Sequence, residues 1–538
     1  MISRPPAVSA VVAAALMALL CVAASAQDAP KVTEYTDFSL GLGMQHQSID
    51  GNERFFDRYV TPPSGLYLSR LVWERLDYAG GPSFSLEGRD LGEPGPSGSF
   101  WLYGSGLNLD AAYRRSSFFQ EYDTTSDRSR RRDYGIVLTP DADSELRYFW
   151  GLHSNDVAVQ GTPSSGPVDW ADRNNGVSLS LKSSRAWFDL AFNREDFDLG
   201  SGQGFSGDTQ SYGLSISPAT DEKTQISLAL ARHTTHLDDF AADVQSWDAN
   251  VMAFYRASDT LDLTGQVRRF SIDQTITQNA YAKRQLAGRV EAEYRWRPGT
   301  TVTAFYQNAD TAYVDGRQAN EVSVGSNSAG VAVRSRLSRA MKVTGKFSRY
   351  DTNDRPLSYN VDNSFAPSLI YSTIKRLDLS ATYAPAGLWG VTGEFQRHTW
   401  DNDAQDIGNS VKTLALTGWW QACRGALSMT ASFMRQEFHL PLFDVGTQLG
   451  YDTRTTSWVL GANYALNQVT GLYATYADAD TSGAASDFSR RLTLGATRNV
   501  GRDDHLLVEA NLGNYDDDFA SDLNYDADLY RLEWQHKF

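Results

Sequence analysis

Leu286-Ala287-Gly288-Arg289-Val290-Glu291-Ala292-Glu293-Tyr294-Arg295-Trp296 is the stretch on which the fold turns. Leu286, Gly288, Val290, Ala292, Tyr294 and Trp296 are apolar or small, and Arg289, Glu291, Glu293 and Arg295 stand between them. Side chains alternate across a β-strand with period two, so this segment is a strand with one apolar and one charged face. A helix would need an i, i+3, i+4 stripe, and no stretch of the chain sustains one. The same alternation runs through Leu261, Leu263, Gly265 and Val267 against Asp262, Thr264, Gln266 and Arg268. It returns as Val331 and Val333 against Arg334 and Arg336, and as Met341, Val343 and Phe347 against Lys342, Thr344 and Lys346.

Equivalent apolar positions in every second strand are Leu261, Val302, Val343, Val391, Met429, Leu472 and Leu507, at intervals of 41, 41, 48, 38, 43 and 35 residues. A period of about forty residues also fits propeller blades, but a blade needs four short strands. Here each period holds two strands of roughly ten to thirteen residues, the length of a tilted membrane strand. Short connections read Arg297–Thr300, Ser338–Ala340, Ala384–Gly387, Leu466–Gln468 and Asn499–Arg502. Between them lie long polar ones, Thr311–Asn327, Thr352–Tyr371, His439–Thr455 and Asp516–Tyr525. Tight turns on one rim and long loops on the other are the asymmetry of outer-membrane barrels. On these rules strands begin near Tyr35, Gly65, Ser83, Ser99 and Leu107, continue through Asp133, Gly176, Ser328 and Thr456, and end with Asp504 and Asp526. Pairing is least defined around residues 80–120, where Gly92–Gly98 and Gly104-Ser105-Gly106 crowd turn formers together. The expected fold is all-β, a transmembrane antiparallel up-and-down β-barrel of about 26 strands with no plug domain.

Both chain ends agree with that reading. Arg4 followed by the apolar run Ala7–Ala23 and the small-x-small pattern Ala24-Ser25-Ala26 is a secretory signal peptide over residues 1–26, with cleavage before Gln27. Residues 27–538 then form the barrel. At the other end Tyr530, Leu532, Trp534, His536 and Phe538 alternate with Arg531, Glu533, Gln535 and Lys537. A terminal aromatic on such a strand resembles the signal by which outer-membrane barrels engage the β-barrel assembly machinery. Tyr294, Trp296, Tyr383, Trp389, Trp419, Trp458 and Tyr515, near strand ends, are candidates for interfacial girdles in outer-membrane lipid.

Composition closes off other classes. With 65 acidic and 49 basic residues, the formal charge of −16 disfavours nucleic acid as a partner, which needs a cationic surplus. Cys21 and Cys423 are the two cysteines, too few for a disulfide scaffold, a Cys-rich zinc site or covalently held haem. His233 and His236, three apart on a strand, fall on opposite faces and do not converge on a metal. Asp401, Asp403 and Asp406, and Asp516–Asp518 with Asp522, are either solvated acidic loops or calcium sites. No Ser-His-Asp arrangement stands out, so no catalytic, cofactor-binding or metal residue is assigned and the chain does not read as an enzyme.

A barrel this wide usually holds something. Tyr35 to Leu40 already alternates, so no plug domain precedes the first strand, and the filler must come from loops or from a separate protein. Gly51-Asn52-Glu53-Arg54-Phe55-Phe56-Asp57-Arg58-Tyr59 and Ser64-Gly65-Leu66-Tyr67-Leu68 resemble the first loop and second strand of MtrB/PioB-type barrels. Arg349-Tyr350-Asp351-Thr352-Asn353-Asp354-Arg355-Pro356 is similar to a strand end of the same family, while the C-x-x-C some members carry near the mature N-terminus is absent. The resemblance implies a cofactor-free sheath in the cell outer membrane around a periplasmic multihaem c-type cytochrome, passing electrons to an extracellular cytochrome. Haem would reside in that partner, docked on inward charges such as Arg268, Arg289, Glu291, Arg334, Arg336, Lys342 and Lys346. The alternative is a large diffusion porin for bulky or charged solutes, filled by its own loops; a soluble β-propeller enzyme stands third.

Overall fold

The computed structural model describes residues 34–538 except 52–64, 78–80, 92–95, 105, 120–124, 142, 160–168, 200–205, 239–241, 275–280, 315–320, 353–371, 386, 403–406, 445–446, 519–520 and 522–523. Its strands begin with β1 (Glu34–Gly51), β2 (Gly65–Asp77), β3 (Ser83–Leu91), β4 (Ser97–Gly104), β5 (Leu107–Phe119), β6 (Thr125–Asp141) and β7 (Ser144–Val159). There follow β8 (Asp169–Lys182), β9 (Ala186–Leu199), β10 (Ser206–Pro218), β11 (Thr224–Leu237), β12 (Ala242–Ser258), β13 (Leu261–Gln274) and β14 (Tyr281–Arg297). Next come β15 (Thr300–Val314), β16 (Glu321–Arg336), β17 (Met341–Thr352), β18 (Thr373–Tyr383), β19 (Trp389–Asn402) and β20 (Ile407–Ala422). The last are β21 (Leu427–Asp444), β22 (Thr447–Ala465), β23 (Thr470–Gly483), β24 (Asp487–Val500), β25 (Asp504–Asp517) and β26 (Tyr525–Lys537). A 3-10 turn at Cys423–Gly425 joins β20 to β21.

Each strand pairs antiparallel with its sequence neighbours, and β26 returns to β1 in a register from Ser39↔Lys537 to Gly51↔Tyr525. The 26-stranded sheet is therefore a closed barrel without edges. Strands at about 4.8 Å spacing and about 40° tilt give a backbone diameter of about 50 Å.

One rim carries only tight turns. At Pro298-Gly299 the Arg336 amide donates to the Gly299 carbonyl at 2.7 Å. Gly299 has φ 81°, a left-handed conformation open to glycine. In the turn after β10, hydrogen bonds from Thr224 and Lys223 hold the Asp221 carboxyl below the usual carboxylate range. This rim, where β1 begins and β26 ends, is the periplasmic one by the loop asymmetry.

Strand starts at this rim fall where the alternation puts them. Those at the outer rim begin earlier: β6 at Thr125 rather than near Asp133, β8 at Asp169 rather than Gly176, and β16 at Glu321 rather than Ser328. The segment His439–Thr455, expected as a long loop, is instead a paired ladder continuing to Asp444↔Thr447. Within Thr311–Asn327 the strands likewise extend to Val314 and from Glu321, while nearly all of the loop expected over Thr352–Tyr371 lies outside the described residues. Beyond the membrane neither face meets lipid, so the outer ends have no apolar alternation to announce them, yet backbone pairing continues.

Large apolar side chains point outward in a belt: Val290 is 61% exposed, Leu286 55% and Trp296 69%. In water such a belt would be an aggregation surface; in hydrocarbon it is the solvated face. Buried residues are few and lie mostly on the inner face toward the outer rim, among them Ala309, Val324, Ala527 and Leu529. All described elements belong to the barrel wall. The expected signal peptide over residues 1–26, with Cys21, and the rest of residues 1–33 lie outside the described residues, as does Asn52–Ser64, which carries most of the family resemblance.

Candidate functional site

The inner wall is the face left by the lipid belt, and the alternation assigns its residues. Against outward Leu286, Val290 and Tyr294, β14 turns Arg289, Glu291, Glu293 and Arg295 inward. Arg289 donates to Glu291 at 2.6 Å and lies 4.2 Å over the Phe305 ring of β15. Arg268 of β13 donates to Asp248 of β12 at 2.7 Å, and Asp262 accepts from both Arg256 and Arg295. Arg376 donates to Asp378 at 2.8 Å. Positions two apart on a strand lie on one face about 7 Å apart, within reach of an arginine. Arg-x-acid pairs along a strand and Arg–Asp pairs across strands therefore line the lumen, and the half-exposed ones are each worth at most about 1 kcal/mol.

The seam between the first and last strands is a tightly packed part of this wall. Tyr67 of β2, Gln45 of β1 and Glu533 of β26 are 5%, 2% and 3% exposed. The Tyr67 hydroxyl donates to Glu533 at 2.9 Å, and Arg531 donates to the same carboxylate at 2.7 Å. The Tyr67 ring lies flat over Gly43, whose missing Cβ would stand 2.3 Å from it. Nearer the periplasm Lys537 donates to Asp37 at 2.5 Å and to Tyr35 at 3.2 Å. The Phe538 amide donates to the Phe38 carbonyl at 2.8 Å, with the two rings 5.1 Å apart. The terminal aromatic thus fastens the closure of the barrel.

One stretch of the inner wall differs. Arg334 and Arg336 of β16 face Thr344 and Lys342 of β17 across the ladder, and Lys346 pairs with Ala332. Among the described residues these four cations make no ion pair; the neighbouring Asp378 is engaged by Arg376. The sequence-expected inward charges Arg268, Arg289, Glu291, Arg334, Arg336, Lys342 and Lys346 all fall on the luminal face. They divide into an ion-paired set and a cationic stripe without ion pairs that runs from the periplasmic mouth up to Lys346.

Other assignments need correction. Trp419 and Tyr515, read as girdle aromatics, turn inward: Trp420 is the lipid-facing neighbour of Trp419, and Tyr515 is buried and stacked 5.9 Å from Tyr525. Leu507 faces the lumen opposite Glu533, so the lipid-side equivalents in β25 are Leu506 and Val508. Each was placed by spacing or by type, and a slip of one residue exchanges the faces. Tyr294, Trp296, Tyr383, Trp389 and Trp458 do point outward. His233 bonds Ser211 at 2.7 Å and His236 bonds Asp243 at 2.7 Å, on opposite faces. Asp518 accepts from Ser486 at 2.5 Å; Asp403, Asp406 and Asp522 lie outside the described residues. Cys423 is exposed in its turn. Among the described residues no three His, Cys, Asp or Glu side chains converge as metal ligands.

Solved structures share this architecture. A mutant of the ferric enterobactin receptor PfeA from Pseudomonas aeruginosa is similar at a TM-score of 0.56 and 9% identity, over 95% of this chain and 81% of that one. The FrpB iron transporter from Neisseria meningitidis gives 0.53 and 10% over 94% and 81%. The siderophore receptor PirA from Acinetobacter baumannii gives 0.50 and 7% over 95% and 81%. The chain is a large outer-membrane β-barrel. At such identities the likeness is one of fold alone. No protein-family model matches the chain, and no curated protein matches it in sequence.

Proposed function

We propose that the barrel is an outer-membrane sheath for a separate multihaem c-type cytochrome that enters from the periplasm and passes electrons outward, to an extracellular cytochrome. The observation that carries this reading is the stripe of Arg334, Arg336, Lys342 and Lys346, outside any ion pair among the described residues, which runs up the wall of a wide lumen from its periplasmic mouth. Four cations facing water without anionic partners are a docking face for an acidic surface, and hydrated polar contacts suit a partner inserted into a preformed tube. The resemblance to MtrB/PioB-type barrels supports the same assignment. The sheath contributes no redox group: its role is to exclude lipid from the partner and hold its orientation. Haem belongs to the partner, since Cys423 is a lone exposed thiol.

A second reading is favoured by the structural neighbours, whose names describe a ferric enterobactin receptor, a siderophore receptor and an iron transporter. On that reading the wide lumen passes a bulky anionic solute along the same stripe. Gentle detergent purification of the tagged barrel from its native membrane, followed by haem staining and an absorbance spectrum, separates the two. A co-purifying multihaem cytochrome with little ion conductance in planar bilayers is the expected result. A haem-free barrel that conducts freely overturns the sheath. In Arg334→Glu/Lys342→Glu the amount of co-purified haem should fall about tenfold or more while barrel assembly is unchanged.

A further inference from the structure

The outer face carries a second cationic feature, independent of the lumen. On β17 to β21 the outward residue two positions beyond the last apolar belt residue is basic every time. Arg349 follows Phe347, Lys375 precedes Leu377, Arg397 follows Phe395, Lys412 precedes Leu414 and Arg435 follows Phe433. Arg454 of β22, opposite Glu437, extends the run to a sixth strand. Alternate pairs across the ladder fix the set on one face: Arg349↔Lys375, Arg397↔Lys412 and Glu437↔Arg454. Each cation points away from the lumen at the outer-rim edge of the belt.

Acid compensates only part of the row. Arg349 is bonded to Asp351 at 2.7 Å, and Glu437 accepts from Arg435 at 3.0 Å and lies 3.4 Å from Arg454. Among the described residues Lys375, Arg397 and Lys412 make no ion pair within 4 Å, although Asp351 lies near Lys375 and Glu437 faces Lys412 across the ladder, and all three are exposed. Beside them Lys412, Glu437, His439, Asp452 and Arg454 line a hollow of about 360 Å³, in which His439 is bonded to Asp452. Basic residues stand at corresponding positions elsewhere, Arg269 of β13, Arg284 of β14 and Arg490 of β24, the last paired with Asp478 of β23 at 3.5 Å, while β25 and β26 carry Asn514 and Asp528; a run over six adjacent strands occurs on β17–β22. Six strands at about 4.8 Å spacing span roughly 24 Å, wide enough for a headgroup with two phosphates.

We infer that the outward arc Arg349–Lys375–Arg397–Lys412–Arg435–Arg454 is a binding site for a phosphorylated lipid of the outer leaflet. The acyl chains lie on the apolar belt of β17–β22 and the phosphates sit among Lys375, Arg397 and Lys412, the three cations of the row outside any close ion pair. Position selects this ligand: only an amphiphile anchored in the membrane holds an anion at the belt edge while covering the apolar residues directly beneath. Guanidinium and ammonium groups are strong phosphate donors, and the shallow edge position keeps the pairing dry on one side.

The test uses the full barrel purified from its native outer membrane, with bound lipid A quantified by mass spectrometry. Lys375→Gln/Arg397→Gln/Lys412→Gln should retain roughly tenfold less phosphorylated lipid per barrel than the parent. Lys223→Gln/Arg339→Gln/Arg502→Gln, which removes the same charge from periplasmic turns, should retain as much as the parent. Equal retention in all three proteins, or an equal loss in both variants, overturns the site. A measurement on the parent protein alone guards against a rim variant that fails to assemble. Delipidated parent barrel should unfold at higher temperature with lipid A than with the same lipid stripped of its phosphates. Equal stabilisation by both lipids, or full stabilisation by inorganic phosphate alone, overturns it as well.

Discussion

At the scale of single residues, a glycine set directly across the ladder from an aromatic recurs on the inner wall. Gly43 lies under Tyr67, Gly330 under Phe305 and Gly495 under Tyr473, and a Cβ at any of them would stand within 2.4 Å of ring carbons. Tyr67 cannot swing aside cheaply, because its hydroxyl is tied to the buried Glu533. Gly43→Ala is therefore expected to destabilise the barrel by about 1–3 kcal/mol by overpacking. Gly288→Ala, with open space around the position, should be neutral or slightly stabilising. Urea unfolding in lipid vesicles reads both, and equal effects would show that the ring contact does not govern the first. The same assay addresses the two faces of β14. Val290→Arg puts a charge into the apolar belt and should cost about 2–4 kcal/mol, while Glu291→Gln, which removes one half-exposed ion pair, should cost less than about 1 kcal/mol.

At the scale of elements, the barrel depends on one pairing that no hairpin enforces, β1 with β26. Every other strand meets its partner across a local connection, whereas this register joins residues about 500 positions apart and must form last or be templated. The closing contacts are correspondingly specific: Lys537 on Asp37, Phe538 on Phe38, and Arg531 with Glu533 beneath Tyr67. Deleting Phe538, or replacing Trp534 by Asp, should sharply lower the yield of assembled barrel while leaving export unaffected. Fractionation with an assembly-sensitive protease digest measures this; undiminished assembly in both variants would remove the last strand from that role.

At the scale of the molecule, a closed 26-stranded sheet whose outer face is apolar and inner face charged is stable only between lipid and water. The mature protein should partition with the outer membrane and migrate faster on gels unheated than boiled, because the hydrogen-bonded cylinder resists detergent until heated. Recovery in a soluble periplasmic fraction would contradict the membrane placement. Conductance of the purified barrel belongs to this scale too, since it depends on what occupies the lumen and not on any one strand.

Period-two alternation was enough to fix the class, the strand number and the two faces of β14, because a membrane strand must obey lipid on one side and water on the other at every residue. The periplasmic strand boundaries were legible for a related reason: tight turns require Pro, Gly or Asn at defined places, as at Pro298-Gly299. The outer ends were not, since β21 and β22 stay paired well past the belt on backbone hydrogen bonds that any polar sequence can make. The inward turn of Trp419 and Tyr515 was hidden as well, because residue type does not state register. Only the assembled barrel decided which charges meet. Arg-x-acid pairs can be seen along one strand, but the tie from Tyr67 to Glu533 crosses the closing seam, and the unpaired state of Arg334 and Lys342 depends on what neighbouring strands present. The outward cations of β17–β22 are each a single letter in the sequence. They become an arc only when six strands are set side by side in register, because adjacency across a sheet is a property of pairing and not of chain order.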